Sequence, residues 1–294
     1  MMMPRVEGRT VMSTLVRRAH YLAIAIVCTA SLAAVAQKPA VPDLLKAVGD
    51  YLLQYTEKLA TIAAEEEYTQ RQPEATQASR RLNSDIVLIG HKGGSISAFR
   101  DAFAIDGNPI RQRDDRLLKL FDSAIVAAAH AQATALTDEA ARYYMSPNLR
   151  MLDLPTLALD YFRPLNHDAA EFSVDGVRNQ NGVQVATLRF KTQGSSDAVA
   201  TPEGATTEGR AWVEVATGTI RQTELIVHGK NFNFSATTKY SLDPGLGIWV
   251  PTELVQRSEV TSAAGGFSNM GAGGQSGARL SLEGRARYTK FRRR

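Results

Sequence analysis

From Phe232 to Tyr240 the side chains alternate without a break. Phe232, Phe234, Ala236, Thr238 and Tyr240 form one set, and Asn233, Ser235, Thr237 and Lys239 the other. A period of two predicts an antiparallel strand with one buried face. Just upstream, Arg210 to Val227 reads as two strands folded back at Ala216-Thr217-Gly218-Thr219. Val, Ile, Thr and Trp in its flanks suit a pleated surface, and Gly218 accepts the positive φ of a tight turn. A lone hairpin is marginal in water, so neighbouring strands are expected.

The pattern supplies them. Glu171 to Val174 and Val183 to Lys191 flank the turn Asn179-Gln180-Asn181-Gly182. Asp243-Pro244-Gly245 leads into a strand from Ile248 to Val260, where Pro251 suggests a bulge or an edge. The last strand sets Leu280, Leu282, Ala286 and Tyr288 against Arg279, Glu283, Arg285 and Arg287. Earlier in the chain, Leu82, Ile86 and Leu88 alternate with Asn83, Asp85 and Val87. Ser97 to Ile105 is expected to place Phe99, Phe103 and Ile105 on one face, before the turn Asp106-Gly107-Asn108-Pro109.

Two stretches have helical spacing. Leu44, Val48, Tyr51, Leu52, Tyr55, Leu59 and Ile62 recur every three or four residues after Pro42 and Asp43, an amphipathic helix of about four turns. It is expected to give way near Thr61 to a strand with Ile62, Ala64, Glu66 and Tyr68 on one side. A helical insertion spans about 114–162: Leu117 to Phe121, an Ala-rich stretch to Leu136, a turn through Tyr144, and a short apolar segment after Pro155. Residues about 194–209 and 263–277 read as flexible loops. No internal repeat stands out.

The first 36 residues change the compartment. Arg17 and Arg18 precede the apolar run Tyr21 to Ala36, which is rich in small residues and ends in Ala34-Val35-Ala36. This is the pattern of a cleaved signal peptide over residues 1–36, started from Met1 or Met12, with 37–294 as one exported domain in the periplasm or outside the cell. An uncleaved N-terminal anchor is the rival. The only cysteine, Cys28, lies inside the run behind Val27, a poor lipidation site. Arg5, Arg9, Arg17 and Arg18 against Glu7 give the leader +3. Of the chain's +4, about +1 remains for the domain, which argues against nucleic acid as a partner. The basic end (Arg285, Arg287, Lys290, Arg292, Arg293 and Arg294) reads as a solvated strand face, or as a contact for an anionic surface.

Catalytic patterns are missing. There is no Gly-x-Ser-x-Gly, no His-Glu-x-x-His and no phosphate loop around Gly229-Lys230. No cofactor and no metal is expected. His91, His130, His167 and His228 stand far apart in the chain and read as packing or surface residues. Glu65 to Glu67 read as a solvated stretch, and Asp101 and Asp106 as turn and edge groups. Trp212, Phe232, Phe234, Tyr240 and Trp249 recur on successive strands; they read either as core or as the lining of an apolar cleft.

The C-terminal half resembles the outer-membrane lipoprotein carrier group, periplasmic lipid-binding half-barrels. The resemblance lies in Ala211-Trp212-Val213-Glu214, Thr217-Gly218-Thr219-Ile220, Glu224-Leu225, the Phe232 to Tyr240 strand and Gly247-Ile248-Trp249-Val250-Pro251. The domain is also similar to uncharacterised secreted bacterial proteins with Arg100-Asp101, Asp106-Gly107, Arg113-Asp114-Asp115-Arg116-Leu117 and Ala141-Arg142-Tyr143. The insertion departs from a minimal carrier. The resemblance implies an α+β fold: a strongly curved antiparallel β-sheet, or half-barrel, with the amphipathic helix against its concave side. It implies a non-catalytic binder of lipid or lipoprotein in an apolar cleft. The alternative is an envelope scaffold with a filled core.

Overall fold

The computed structural model describes residues 38–73, 79–121, 126–145, 154–194, 198, 199, 201, 204–261 and 279–293, all within one unit, Lys38–Arg294. The stretch read as a signal peptide and the 263–277 loop lie outside the described residues. No helix among the described residues is long and apolar enough to cross a membrane.

Helix α1 (Val41–Leu59) carries Pro42 in its first turn, Asp43 at its positive end and Lys58 at its negative end. It buries Leu44, Val48, Leu52, Tyr55 and Leu59 along one stripe. A single residue, Ala60 (φ 44°, ψ −102°), separates it from β1 (Thr61–Arg71), so the chain folds sharply back along its own helix. Strands β2 (Ser79–Gly90), β3 (Ile96–Ile105) and the two-residue β4 (Asn108–Pro109) follow. Helices α2 (Arg116–Leu120) and α3 (Val126–Ala141) come next, then the 3-10 turns Leu157–Phe162 and Pro164–Ala169. The rest is a meander: β5 (Glu171–Gln180), β6 (Val183–Lys191), β7 (Thr206–Glu214), β8 (Ile220–His228), β9 (Phe232–Asp243), β10 (Ile248–Thr261) and β11 (Arg279–Arg293).

All strands join one curved, unclosed antiparallel sheet of 11 strands, ordered β4-β3-β2-β1-β11-β10-β9-β8-β7-β6-β5. The first long strand therefore pairs with the last, from Ile62↔Arg293 to Arg71↔Glu283. The expected α+β half-barrel with an N-terminal helix is the fold found. Asn181 (φ 53°) and Gly182 (φ 84°) make the two-residue β5–β6 turn. Strand β7 begins at Thr206, inside the stretch expected to be a loop.

The two faces are covered differently. The inner face carries Ile62, Ala64, Tyr68, Leu82, Ile86, Leu88, Leu225, Phe234, Leu254 and Ala286 and packs against α1. Among the described residues the outer face is covered over β1 to β3, where Ala63, Val87, Ile89 and Phe99 meet Leu117, Phe121, Ala129 and Ala133 of the insertion. Helix α3 also guards the β3 edge: Thr137 Oγ1 accepts from Arg100 N–H at 2.9 Å and donates to Ala133 O at 2.9 Å. The β2–β3 register slips between Asn83/Ser84, opposite Phe103. This bulge reverses the alternation, so Phe99 and Ile105 pack in different clusters rather than on one face.

Two glycines let sheet backbone touch the helix. A Cβ on Gly218 would stand 2.1 Å from Ala47 O, and one on Gly90 would stand 2.1 Å from Thr56 O. These contacts fix both ends of α1 against the β7–β8 turn and the end of β2. Gly218→Ala adds that clash to the strain of φ 70° and is expected to cost about 2–4 kcal/mol. Gly182→Ala, with a similar φ and nothing within 4 Å, is expected to cost about 1 kcal/mol. Urea midpoints of the two variants check this; equal losses would mean that the helix does not touch the turn.

Candidate functional site

The inner face has two covers. One is α1. The other is the pair of 3-10 turns, which buries Ala158, Leu159, Tyr161 and Phe162 while Pro164–Ala169 buries nothing fully. Tyr161 stacks on Phe190 at 4.4 Å between ring centroids, and Phe162 meets the same ring edge-on at 5.4 Å. Polar bonds join the 3-10 segment to β9 and to the turn after β2. Tyr240 Oη donates to Pro155 O at 2.7 Å and Arg163 Nε donates to Gly93 O at 3.0 Å, while Arg163 pairs with Asp160 at 3.2 Å within the segment. Leu165 stands 78% exposed. Short 3-10 helices have poorer hydrogen-bond geometry than an α-helix, so this is the weaker of the two covers.

The five aromatics singled out from the sequence separate. Phe234 and Tyr240 are buried in the inner core, and Phe232 is half-buried and stacked on Phe234 at 6.3 Å. Trp249 is half-buried with the Arg221 guanidinium 5.5 Å from its ring. Trp212 follows the buried Ala211 and so points to the opposite, outer face. There Arg210 lies 5.0 Å from its ring, and it lines a pocket of about 340 Å³ with Gln222 and Lys239.

Tyr51 and Tyr55 of α1 stack at 5.6 Å above the inner core. Burial pushes the hydroxyls of Tyr51, Tyr55 and Tyr240 well above the usual tyrosine range, and each is held further neutral by a neighbouring tyrosine or carboxylate. Tyr55 is 4% exposed and its Oη has no hydrogen-bond partner. Sequence reasoning placed Tyr51 and Tyr55 on the apolar helix face but could not see that the Tyr55 hydroxyl would be buried without a hydrogen-bond partner.

The charged groups read as solvated are partly structural. Glu66 is 1% exposed and forms a buried two-point pair with Arg100, Nε–Oε2 2.7 Å and Nη2–Oε1 3.0 Å. Removing either partner would strand a buried charge, roughly 3–5 kcal/mol. Asp101 is not an edge group. It is 1% exposed and held by Arg116 through two bonds of 2.8 Å and by Arg111. Asp106 is a turn group, with its carboxylate accepting from Arg81 N–H at 2.7 Å. Arg113 bridges Asp85 at 2.6 Å and Glu65 at 2.7 Å. The Arg-Asp motif residues thus fasten the insertion to β1, β2 and β3. The basic end is paired in part: Arg285 pairs with Glu253, Lys290 with Glu65 at 2.9 Å and Arg292 with Asp115 at 2.8 Å.

His91 and His130, 39 positions apart in the chain, come within 5.8 Å, packed around Phe99 and Phe121. Burial and the His130 charge hold His91 below the usual histidine range. Among the described residues, no three His, Cys, Asp or Glu side chains gather at metal-ligand distance.

Asp160, inside the weaker cover, is pushed up to about 6 by burial, against the pull of Arg163. The unfolded chain loses that proton near 3.8. Between these values the folded state holds the extra proton, so this group's contribution to stability falls as pH rises from about 4 to 6. Asp160→Asn cannot ionise and is expected to remove that part of the slope. The difference between variant and wild-type urea midpoints, followed across the window, checks it; parallel curves would mean that burial of the carboxylate has no such effect.

No family model and no curated protein matches the chain. Solved structures of similar fold do match. A domain assigned to the outer-membrane lipoprotein-sorting proteins, from Vibrio parahaemolyticus, is 10% identical, with 84% of this chain and 91% of that one aligned at a TM-score of 0.43. A DUF1329 family protein from Desulfovibrio piger is 11% identical over 85% and 93% of the two chains, TM-score 0.36. A LolA superfamily protein from Nitrosomonas europaea is 11% identical over 84% and 93%, TM-score 0.31. The likeness is one of fold, and no residue role is carried across at these identities.

Proposed function

We infer that this is an exported, non-catalytic binding protein that takes an apolar ligand, a lipid or the acyl part of a lipoprotein, against the inner face of its sheet. The observation that carries the reading is the unequal cover of that face. Helix α1 buries five large side chains and is clamped by Gly218 and Gly90. The 3-10 segment buries three large ones, Leu159, Tyr161 and Phe162, from one six-residue 3-10 helix. At roughly 1.5–3 kcal/mol each, lifting those three exposes about 5–9 kcal/mol of apolar burial. An acyl chain of about ten methylenes, at roughly 0.8 kcal/mol each, returns about 8 kcal/mol. The exchange is nearly balanced, which is what reversible loading requires. In this reading the segment stands where the ligand goes, Phe234 and Tyr240 line the site with Phe232 and Trp249 at its margin, and Trp212 serves the outer face. The arginine-rich end meets an anionic surface only through charges that escape their carboxylate partners.

A second reading is favoured by one observation. Tyr161, Phe162 and Phe190 form a closed aromatic stack with no exposed ring, as in a scaffold whose core is permanently full. Native mass spectrometry of protein purified gently from the periplasm separates the two. A carrier is expected to retain lipid mass in part of the population. A bare polypeptide mass in every preparation would favour the scaffold.

A further inference from the structure

The two edges of the sheet are finished differently. At one end β4 is two residues long, and α3 bonds to the backbone of β3. At the other end stands β5, ten residues long and last in the strand order. Among the described residues, its backbone bonds to that of β6 and to no other segment. A row of open N–H and C=O groups of this length is a template for another strand. The side chains limit which strand fits. Phe172, Val174 and Val177 pack against the inner core, while Glu171, Ser173, Asp175 and Arg178 are exposed. The β5–β6 register slips between Val174 and Gly176, so Asp175 is an extra residue. It leans to the outer face, where it meets Arg189 at 3.3 Å. The inward positions 172, 174 and 177 therefore fall out of step after the bulge. A strand of plain alternation would match only half of β5. A second β5 running the other way, with its bulge against this one, matches both halves.

We propose that this edge pairs with the same edge of a second copy, antiparallel about a two-fold axis between Asp175 and Gly176. Val174 then faces Val177 of the second copy on the inner side. Ser173 faces Arg178 of the second copy on the outer side. A Cβ on Gly176 would meet nothing within 4 Å, so the bulge leaves room at the axis. The charges agree with this direction. Glu171 and Asp175 lie in the first half of the strand and Arg178 in the second. A reversed copy brings each Arg178 diagonally between those two carboxylates, within reach of a long side chain. Among the described residues Arg178 has no carboxylate partner, and Glu171 is met by the Gln193 amide rather than by a cation. Backbone bonds supply the affinity, and the charges and the bulge select the register. The contact is isologous and uses up the open edge of both copies, so it closes at two. The inner faces join into one trough, with Val174 and Val177 of both copies at the seam. The pairing serves a carrier and a scaffold alike.

Sedimentation of the purified exported protein over a concentration series tests this. Wild type is expected to pass from monomer to dimer in the micromolar range, since one strand edge makes an interface at the weak end of the scale. Arg178→Glu sets like charges together and should weaken the dimer about tenfold or more. It should keep the wild-type urea midpoint, because the side chain is exposed. Register is read by cross-linking, since residues 37–294 contain no cysteine of their own. Ser173→Cys and Arg178→Cys proteins, mixed and mildly oxidised, should form a disulfide-linked pair. Directly opposed residues of antiparallel strands lie about 4.5–5.5 Å apart at Cα, within disulfide reach. Either variant alone should not bridge, its two cysteines being about 17 Å apart along the strands. A monomer at every concentration up to about 100 µM, an undiminished dimer in Arg178→Glu, or a mixture that bridges no better than either variant alone would overturn the pairing.

Discussion

The pairing of β1 with β11 is the constraint on which the architecture rests. Without it there would be two separate meanders, β1 to β4 and β5 to β11. With it there is one sheet, sealed by strands more than 200 residues apart. Lys290 reaches Glu65 across this seam at 2.9 Å. The seam also places the helix. Only Ala60 separates α1 from β1, so wherever β1 is held, α1 must lie back across the sheet. Gly218 and Gly90 then allow backbone to meet backbone at its two ends. The helix position is thus a consequence of strand pairing and of two absent side chains, rather than of helix propensity.

A sheet this wide needs more cover than one helix gives, and the protein divides the task. On the outer face the insertion seals β1 to β3 with its own small core and with carboxylate–arginine pairs around Asp85 and Asp101. On the inner face, the 3-10 turns fill what α1 leaves open. The first cover is rigid and charged, the second short and mostly apolar. That difference in kind, and not the presence of an empty cavity, is what makes the inner face a candidate for binding.

Much of the fold was legible in the sequence because its signals are local. Alternation from Phe232 to Tyr240, the Asn181-Gly182 turn, Gly218, and the 3–4 spacing of Leu44 to Leu59 each act within a few residues. What escaped depended on distance. Glu66 looks solvated until Arg100, 34 positions away, lies beside it. His91 and His130 meet only once α3 packs on Phe99. A single bulge opposite Asn83/Ser84 moved Ile105 to the other face, and a one-residue slip leaves no mark in composition. At the site, the short apolar segment after Pro155 was visible, but its position against Phe190 and Tyr240 was not. Tyr55, whose buried hydroxyl has no hydrogen-bond partner, was read only as one more apolar position of a helix.

Hydrogen exchange followed residue by residue tests the central claim most directly, since it measures how often each cover opens. If the inner face is held by a fixed helix and a removable segment, amides from 157 to 169 exchange through local opening, far faster than those of α1 and of the β1–β11 seam, which exchange only with global unfolding. Equal protection of the segment, α1 and the seam would mean that the face never opens, and the binding account would be wrong.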